Sequence, residues 1–231
     1  MDALDQTRVW RYMSLSKFVW AIQNRCLWLC RADLLGDPWE ISLSGAQLQH
    51  VIDTHPITPI DEAPGETAME RARRIIGLWR GATFINCWNR SPYESNALWK
   101  IYCENSDGVV LQTTYEKLKK IAGRHSLLPV TYPVPGSNSI TPTHADLVTK
   151  KRPMFAYEEE VRIVFHDENN EVGATRGVRL DFDFERLIES VRVHPEANES
   201  FFDAVQTTVN TYAPNFAGTV RWSDMALRPP L

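Results

Sequence analysis

The stretch Phe155-Ala-Tyr-Glu-Glu-Glu-Val-Arg-Ile-Val-Phe165 places three carboxylates directly ahead of an apolar run. Read with the period of two of an extended chain, Glu158, Glu160 and Arg162 share one face. Tyr157, Glu159, Val161, Ile163 and Phe165 share the other. Same-face neighbours stand roughly 6.6 Å apart. Two carboxylates that close, on a strand half covered by apolar residues, repel unless a cation, a proton or a substrate lies between them, and a raised pKa for one of them is the expectation. Two chemistries fit the Glu-x-Glu-x-Arg face. One is a structural ion pair. The other is a glutamate set beside an arginine to grip a ribose or phosphate and to stabilise a cationic transition state.

Other residues of catalytic type are scattered. Asp33, Asp37 and Glu40 surround Gly36-Asp-Pro-Trp-Glu40; Asp37 before proline suits a turn, and Asp33 and Asp37 together with Glu158 and Glu160 would be oxygen ligands for Mg²⁺ or Mn²⁺ were the two sets to converge in space. Arg11 and Tyr12 point to opposite sides of a first strand. Trp88 and Trp99 suit the core, or a platform for a planar ligand. The basic runs Arg71-Ala-Arg73-Arg74 and Lys150-Lys151-Arg152 read as solvated faces or as local anion-binding patches. No Gly-x-x-x-x-Gly-Lys, Gly-x-Gly-x-x-Gly or Gly-x-Ser-x-Gly occurs, which argues against a P-loop enzyme, a dinucleotide-binding Rossmann domain and an α/β-hydrolase.

The 231 residues carry a net charge of -4, so nothing draws the whole chain to nucleic acid or to an acidic membrane. Four cysteines and six histidines show no zinc spacing, and free thiols in a cytoplasmic protein are expected. The start, Met1-Asp-Ala-Leu-Asp5, lacks the basic and apolar regions of a signal peptide, and no apolar run approaches the ~20 residues that span a bilayer. With 43% hydrophobic residues, a single domain over residues 1–231 is expected.

The elements that must position these residues alternate irregularly. Strands are expected at Val9-Trp-Arg-Tyr-Met13, Cys26-Leu-Trp-Leu-Cys30, Phe84-Ile-Asn-Cys-Trp88, Gly108-Val-Val-Leu-Gln-Thr113, residues 127–134, the Glu-x-Glu-x-Arg stretch, residues 177–183, Val191-Arg-Val193 and Thr219-Val-Arg-Trp222. Helices are expected after Ser14, after Ser44, over residues 66–80, from a capping box at Ser91-Pro92-Tyr93-Glu94, from Thr113-Thr-Tyr-Glu116 to Gly123, over residues 184–189 and around residues 202–212. Residues 55–64 and 133–142 read as loops. This pattern predicts an α+β domain with a mixed, mostly antiparallel sheet flanked by helices.

Trp10-Arg11-Tyr12-Met13, Ala32-Asp33-Leu34-x-x-Asp37-Pro38-Trp39-Glu40, Cys87-Trp88-x-x-Ser91-x-x-Glu94-Ser95-x-Ala97-Leu98-Trp99-Lys100-x-Tyr102, Lys151-Arg152, Tyr157-Glu158-x-Glu160-x-Arg162 and Val191-x-Val193-x-Pro195 together resemble the bacterial family catalogued as domain of unknown function 2971. Their order also resembles the layout of ADP-ribosyltransferase folds, with Arg11 and Tyr12 early, Trp99 and Tyr102 in the middle and Glu158 with Glu160 late. The middle motif departs from that layout, because residues 91–102 read as a helix. The resemblance implies NAD as substrate, with no metal. Glu160 would stabilise the sugar cation, Glu158 would serve the acceptor, Arg11 or Arg162 would hold the diphosphate, and Tyr12, Trp99 or Tyr102 would stack on nicotinamide. The acceptor is left open between water, a small molecule, a protein and nucleic acid, and the role between defence, toxin and metabolism. The rival readings are a metal-dependent phosphodiesterase or nuclease and a non-catalytic nucleotide- or nucleic-acid-binding module.

Overall fold

The structure, a computed structural model, describes residues 6–37, 41–54, 65–103, 106–134, 143–167 and 175–226. Nine strands form one sheet among these residues: β1 (Arg8–Ser14), β2 (Cys26–Arg31), β3 (Thr83–Arg90), β4 (Gly108–Thr114), β5 (Ser126–Pro129), β6 (Glu160–His166), β7 (Gly177–Asp181), β8 (Ser190–Val193) and β9 (Thr219–Trp222). The order is β5-β6-β3-β1-β4-β8-β9, with β2 joining β3 to β7. Every ladder is antiparallel except β8 with β9. The helices are α1 (Leu15–Asn24), α2 (Gly45–Thr54), α3 (Ala68–Gly81), α4 (Asn96–Tyr102), α5 (Tyr115–Ala122), α6 (His144–Thr149), α7 (Phe184–Leu187) and α8 (Glu199–Tyr212). The fold is α+β with a mixed, mostly antiparallel sheet.

The two faces of the sheet are covered differently, and the difference creates the site. On one face, alternate residues Val9 and Met13 of β1, Val109 and Leu111 of β4, Val161 and Ile163 of β6 and Val191 and Val193 of β8 pack against α1, α5 and α8 in the main core. Each such buried aliphatic side chain contributes about 1.5–3 kcal/mol. The opposite face carries two smaller clusters, one of Trp10, Tyr12, Leu98, Trp99, Cys103 and Val110 and one of Ala32, Ile41, Ile85, Val148 and Val164. The cross-strand register sets Glu160, Arg162, Cys87 and Asn89 between them.

A break in the ladder lies at the same place. The β3 edge that faces away from β6 pairs with β2 at Phe84 and Ile85 and with β1 at Asn89 and Arg90, leaving the stretch between to neither strand. Side chains fill the gap: Asn86 donates to the Trp28 carbonyl at 2.8 Å, and Arg11 donates to the Cys87 carbonyl. Parity groups Arg11 with Val9 and Met13, and its guanidinium turns into this gap to reach the Cys87 carbonyl.

Two local expectations are corrected. The helix expected from a Ser91–Glu94 capping box starts instead at Asn96, capped by Ser95, because the Glu94 carboxylate is taken by other partners described below. The strand expected from Tyr157 starts at Glu160, preceded by a 3-10 helix over Pro153–Glu158 with proline at its start. Residues 55–64, 135–142 and Pro38, Trp39 and Glu40 lie outside the described residues.

Candidate functional site

Alternation along β6 turns Glu160, Arg162 and Val164 to the face opposite the main core. Glu158 reaches the same side by another route. Glu159 takes a left-handed backbone, φ 40° and ψ 52°, between the 3-10 helix and the strand. That conformation is costly for a non-glycine residue. It is held by Glu159 N–H donating to the Ala156 carbonyl at 3.2 Å and by its carbonyl accepting from Arg90 at 2.8 Å.

Cations lie between the two carboxylates. Lys151 Nζ sits 2.6 Å from Glu158 Oε2 and 3.4 Å from Glu160 Oε2. Arg162, fully buried, grips Glu160 with both arms of its fork, Nε to Oε1 at 2.8 Å and Nη2 to Oε2 at 3.0 Å, and its third nitrogen donates to the Val148 carbonyl at 2.9 Å. The geometry of a planar guanidinium suits this bidentate hold. Tyr132 accepts from Glu160 N–H at 2.9 Å, and Asn89 donates through Nδ2 to the Glu158 carbonyl at 2.6 Å. Across the β3–β6 ladder, Glu160 pairs with Asn89 and Arg162 with Cys87.

The expectation of a raised pKa is reversed for Glu160. Burial pushes its carboxyl up, but the charge and hydrogen bonds of Arg162, then Lys151 and the Cys87 thiol, outweigh burial and hold it at about 2. Glu160 is therefore an ionised, almost fully buried carboxylate at any physiological pH. Its depressed pKa stabilises the fold above the ordinary carboxylate value near 4.5, and the contribution is lost as pH falls from there through about 2. Chemical denaturation as a function of pH is expected to show wild-type stability falling in that window by on the order of 3 kcal/mol more than in Glu160→Gln.

Arg11 and Tyr102 complete the surroundings. Burial lowers the Arg11 pKa while Cys87, Tyr102 and Glu160 raise it. Burial and then the Glu158 carboxylate push the Tyr102 phenol up, although nearly half of the residue is exposed, so the residue stands partly in solvent within electrostatic reach of the carboxylates. Burial, with Glu160 nearby, likewise raises Tyr132 to about 12. Counting Arg11, Lys151 and Arg162 against Glu158 and Glu160, the cluster carries one positive charge in excess.

Of the residues singled out in the sequence, Glu158, Glu160, Arg162, Arg11 and Tyr102 come together. Tyr12 and Trp99 belong to the neighbouring apolar cluster, 1–9% exposed, with ring centroids 5.3 Å apart. The Tyr12 hydroxyl accepts from Ser95 N–H at 2.6 Å, and Trp99 Nε1 donates to Glu94 at 2.9 Å. Both fix the position of α4, the element that presents Tyr102. Sequence reasoning did not single out Tyr132 or Asn89, and took Lys151 as part of a basic run and of the Lys151-Arg152 motif without placing it at the carboxylates. Asn89 lies in a strand that also carries Thr83, Asn86 and Arg90, so its residue type alone did not mark it out. The acidic set near Gly36 separates: Asp33 pairs with Arg31 at 2.7 Å and Asp37 with Arg152 at 3.0 Å. Among the described residues no group of three or more His, Cys, Asp or Glu is placed to hold a metal ion.

Two cavities lie away from the carboxylates. One, of about 610 Å³, is bordered by Arg25, Asp181, Asp183, Glu185 and Tyr212; the other, of about 350 Å³, by Trp99, Lys100, Ser106 and His194.

No family model matches the chain, and no curated protein matches it. Among solved structures it is similar to Thermus sp. 2.9 DarT in complex with NAD+, at 11% identity and a TM-score of 0.47 over 97% of this chain and 98% of that one. It is also similar to the same protein in complex with ADP-ribosylated ssDNA, at 11% identity and a TM-score of 0.46 over 96% and 97%. At this identity and TM-score the function has to be read from the site's own residues.

Proposed function

We propose that the protein is an ADP-ribosyltransferase-like enzyme that cleaves NAD and passes ADP-ribose to an acceptor or to water. The observation that carries this reading is Glu160: a carboxylate held ionised at about 2 by Arg162 and Lys151, beside the gap between β1 and β3 that the Arg11 guanidinium enters. An ionised carboxylate with fixed geometry is what a developing sugar cation requires, and one fixed before reaction spends no reorganisation at the transition state.

In this reading the bond between the nicotinamide nitrogen and the ribose C1′ breaks and its electron pair leaves with neutral nicotinamide. Glu160 stabilises the positive charge left on the sugar, as carboxylates do in glycoside hydrolysis. The acceptor's nucleophile then bonds to C1′ and gives up its proton, for which Glu158, shared with Lys151, is the nearest base. Arg11, partly exposed, and the excess positive charge suit the diphosphate. Arg162 has all three nitrogens engaged and holds Glu160. Tyr102 presents the exposed ring for nicotinamide. A nucleic acid stands among the candidate acceptors beside proteins, small molecules and water. The protein would act in the cytoplasm, and no described helix is long and apolar enough to cross a membrane.

Glu160→Gln is expected to reduce nicotinamide release about 10²–10³-fold while leaving NAD binding, measured by calorimetry, changed far less. Undiminished release in a folded variant removes Glu160 from the chemistry and the proposal with it.

A further inference from the structure

Asn89 is 5% exposed and its two polar atoms are treated unequally. Nδ2 donates to the Glu158 carbonyl at 2.6 Å, whereas Oδ1 is buried and has no hydrogen-bond partner among the described residues. Exchanging the two atoms would set oxygen against a carbonyl, which cannot donate, so the orientation is fixed by chemistry. An orphaned buried acceptor is unfavourable, and a ligand that donates to it removes that penalty.

The identity of such a donor follows from the neighbour. Asn89 is the cross-strand partner of Glu160, which puts their Cβ atoms about 4.5–5.5 Å apart on one face. Ionised Glu160 is an acceptor only, and so is Asn89 Oδ1. A group that meets both must bring two donors side by side. Vicinal hydroxyls on one sugar ring do so, whereas an amide or ammonium on one atom would have to straddle the pair.

We infer that Asn89 is a specificity-determining residue that reads a vicinal diol, accepting from the 3′-hydroxyl of the ribose whose 2′-hydroxyl donates to Glu160. This rests on the NAD reading above and goes beyond it by requiring a ribo- rather than a deoxyribo-configured sugar at the reacting end. The Asn89 bond to the Glu158 carbonyl couples the recognition to the second carboxylate, so a sugar lacking the hydroxyl leaves a buried acceptor unmet.

The test is calorimetric binding of NAD and of an NAD analogue whose nicotinamide ribose lacks the 3′-hydroxyl, to the wild type and to Asn89→Leu. Wild type is expected to bind the analogue about 10- to 100-fold more weakly than NAD, and the variant to bind the two within about threefold of each other. The wild-type comparison needs no mutant, so a variant that fails to fold does not remove the test. Equal binding of both ligands by wild type overturns the assignment of Asn89 and leaves the NAD reading standing, as does an analogue penalty that persists undiminished in a folded variant. Absence of NAD binding by wild type overturns both.

Discussion

Arg162→Met is expected to cost about 3–5 kcal/mol in stability, the range for removing one member of a buried ion pair. Arg162 supplies two of the bonds to Glu160 and one to the Val148 carbonyl. Methionine fills the space and satisfies neither, so a buried carboxylate would be left with Lys151 at 3.4 Å and the Cys87 thiol, and Val148 with an open acceptor. The loss should depend on pH in a direction that identifies its cause. Without Arg162 the Glu160 pKa moves up from about 2, so the variant loses less stability than wild type between about pH 4.5 and 2. The gap between the two proteins should therefore narrow in acid, which urea denaturation at pH 7 and pH 3.5 can measure. A gap that stays constant would assign the loss to packing rather than to charge.

Glu94→Ala is the second large effect, and it acts on the scaffold. The Glu94 side chain, 3% exposed, accepts from Trp99 Nε1 at 2.9 Å, from Asp224 N–H at 3.1 Å, from Ser223 and from Arg192. It ties the loop before α4 to β8 and to the segment after β9. Arg192 is fully buried, lies 5.1 Å from the Trp10 ring centre, and has Nε and Nη2 without partners among the described residues. Alanine would leave it only Asp224, whose side chain is 60% exposed. A loss of about 3–5 kcal/mol, on the order of 10 °C in Tm for a chain of this length, is expected in thermal unfolding. A shift below about 2 °C would mean that Arg192 finds water or another acceptor.

What could be read from the sequence was what local spacing controls. The alternation of the strands and the amphipathic helices gave the α+β class and the element order except for the short α6, and Glu158, Glu160 and Arg162 stand together because they lie within five residues. The carboxylates share a side for a reason periodicity does not contain, since a left-handed Glu159 rather than a continuous strand brings Glu158 round. Glu94 shows the converse. Ser-Pro-x-Glu fits a capping box by local rules, but Arg192, 98 residues later, competes for the carboxylate and a buried charge outbids an exposed cap. Lys151, Tyr132 and Asn89 reach the site through the β3–β6 register and through the segment before β6, which only the folded chain defines. Tyr12 and Trp99 illustrate the ambiguity of aromatic residues: both bury their rings, and one polar atom on each anchors α4.

The most direct test of the central claim is release of nicotinamide from NAD by the purified wild-type protein, with and without a cell lysate as a source of acceptor, and with a chelator present throughout. Release that proceeds under chelation, is lost in Glu160→Gln and is stimulated or unchanged by the lysate is the predicted result. No release under any of these conditions, from protein shown to be folded, would contradict the account.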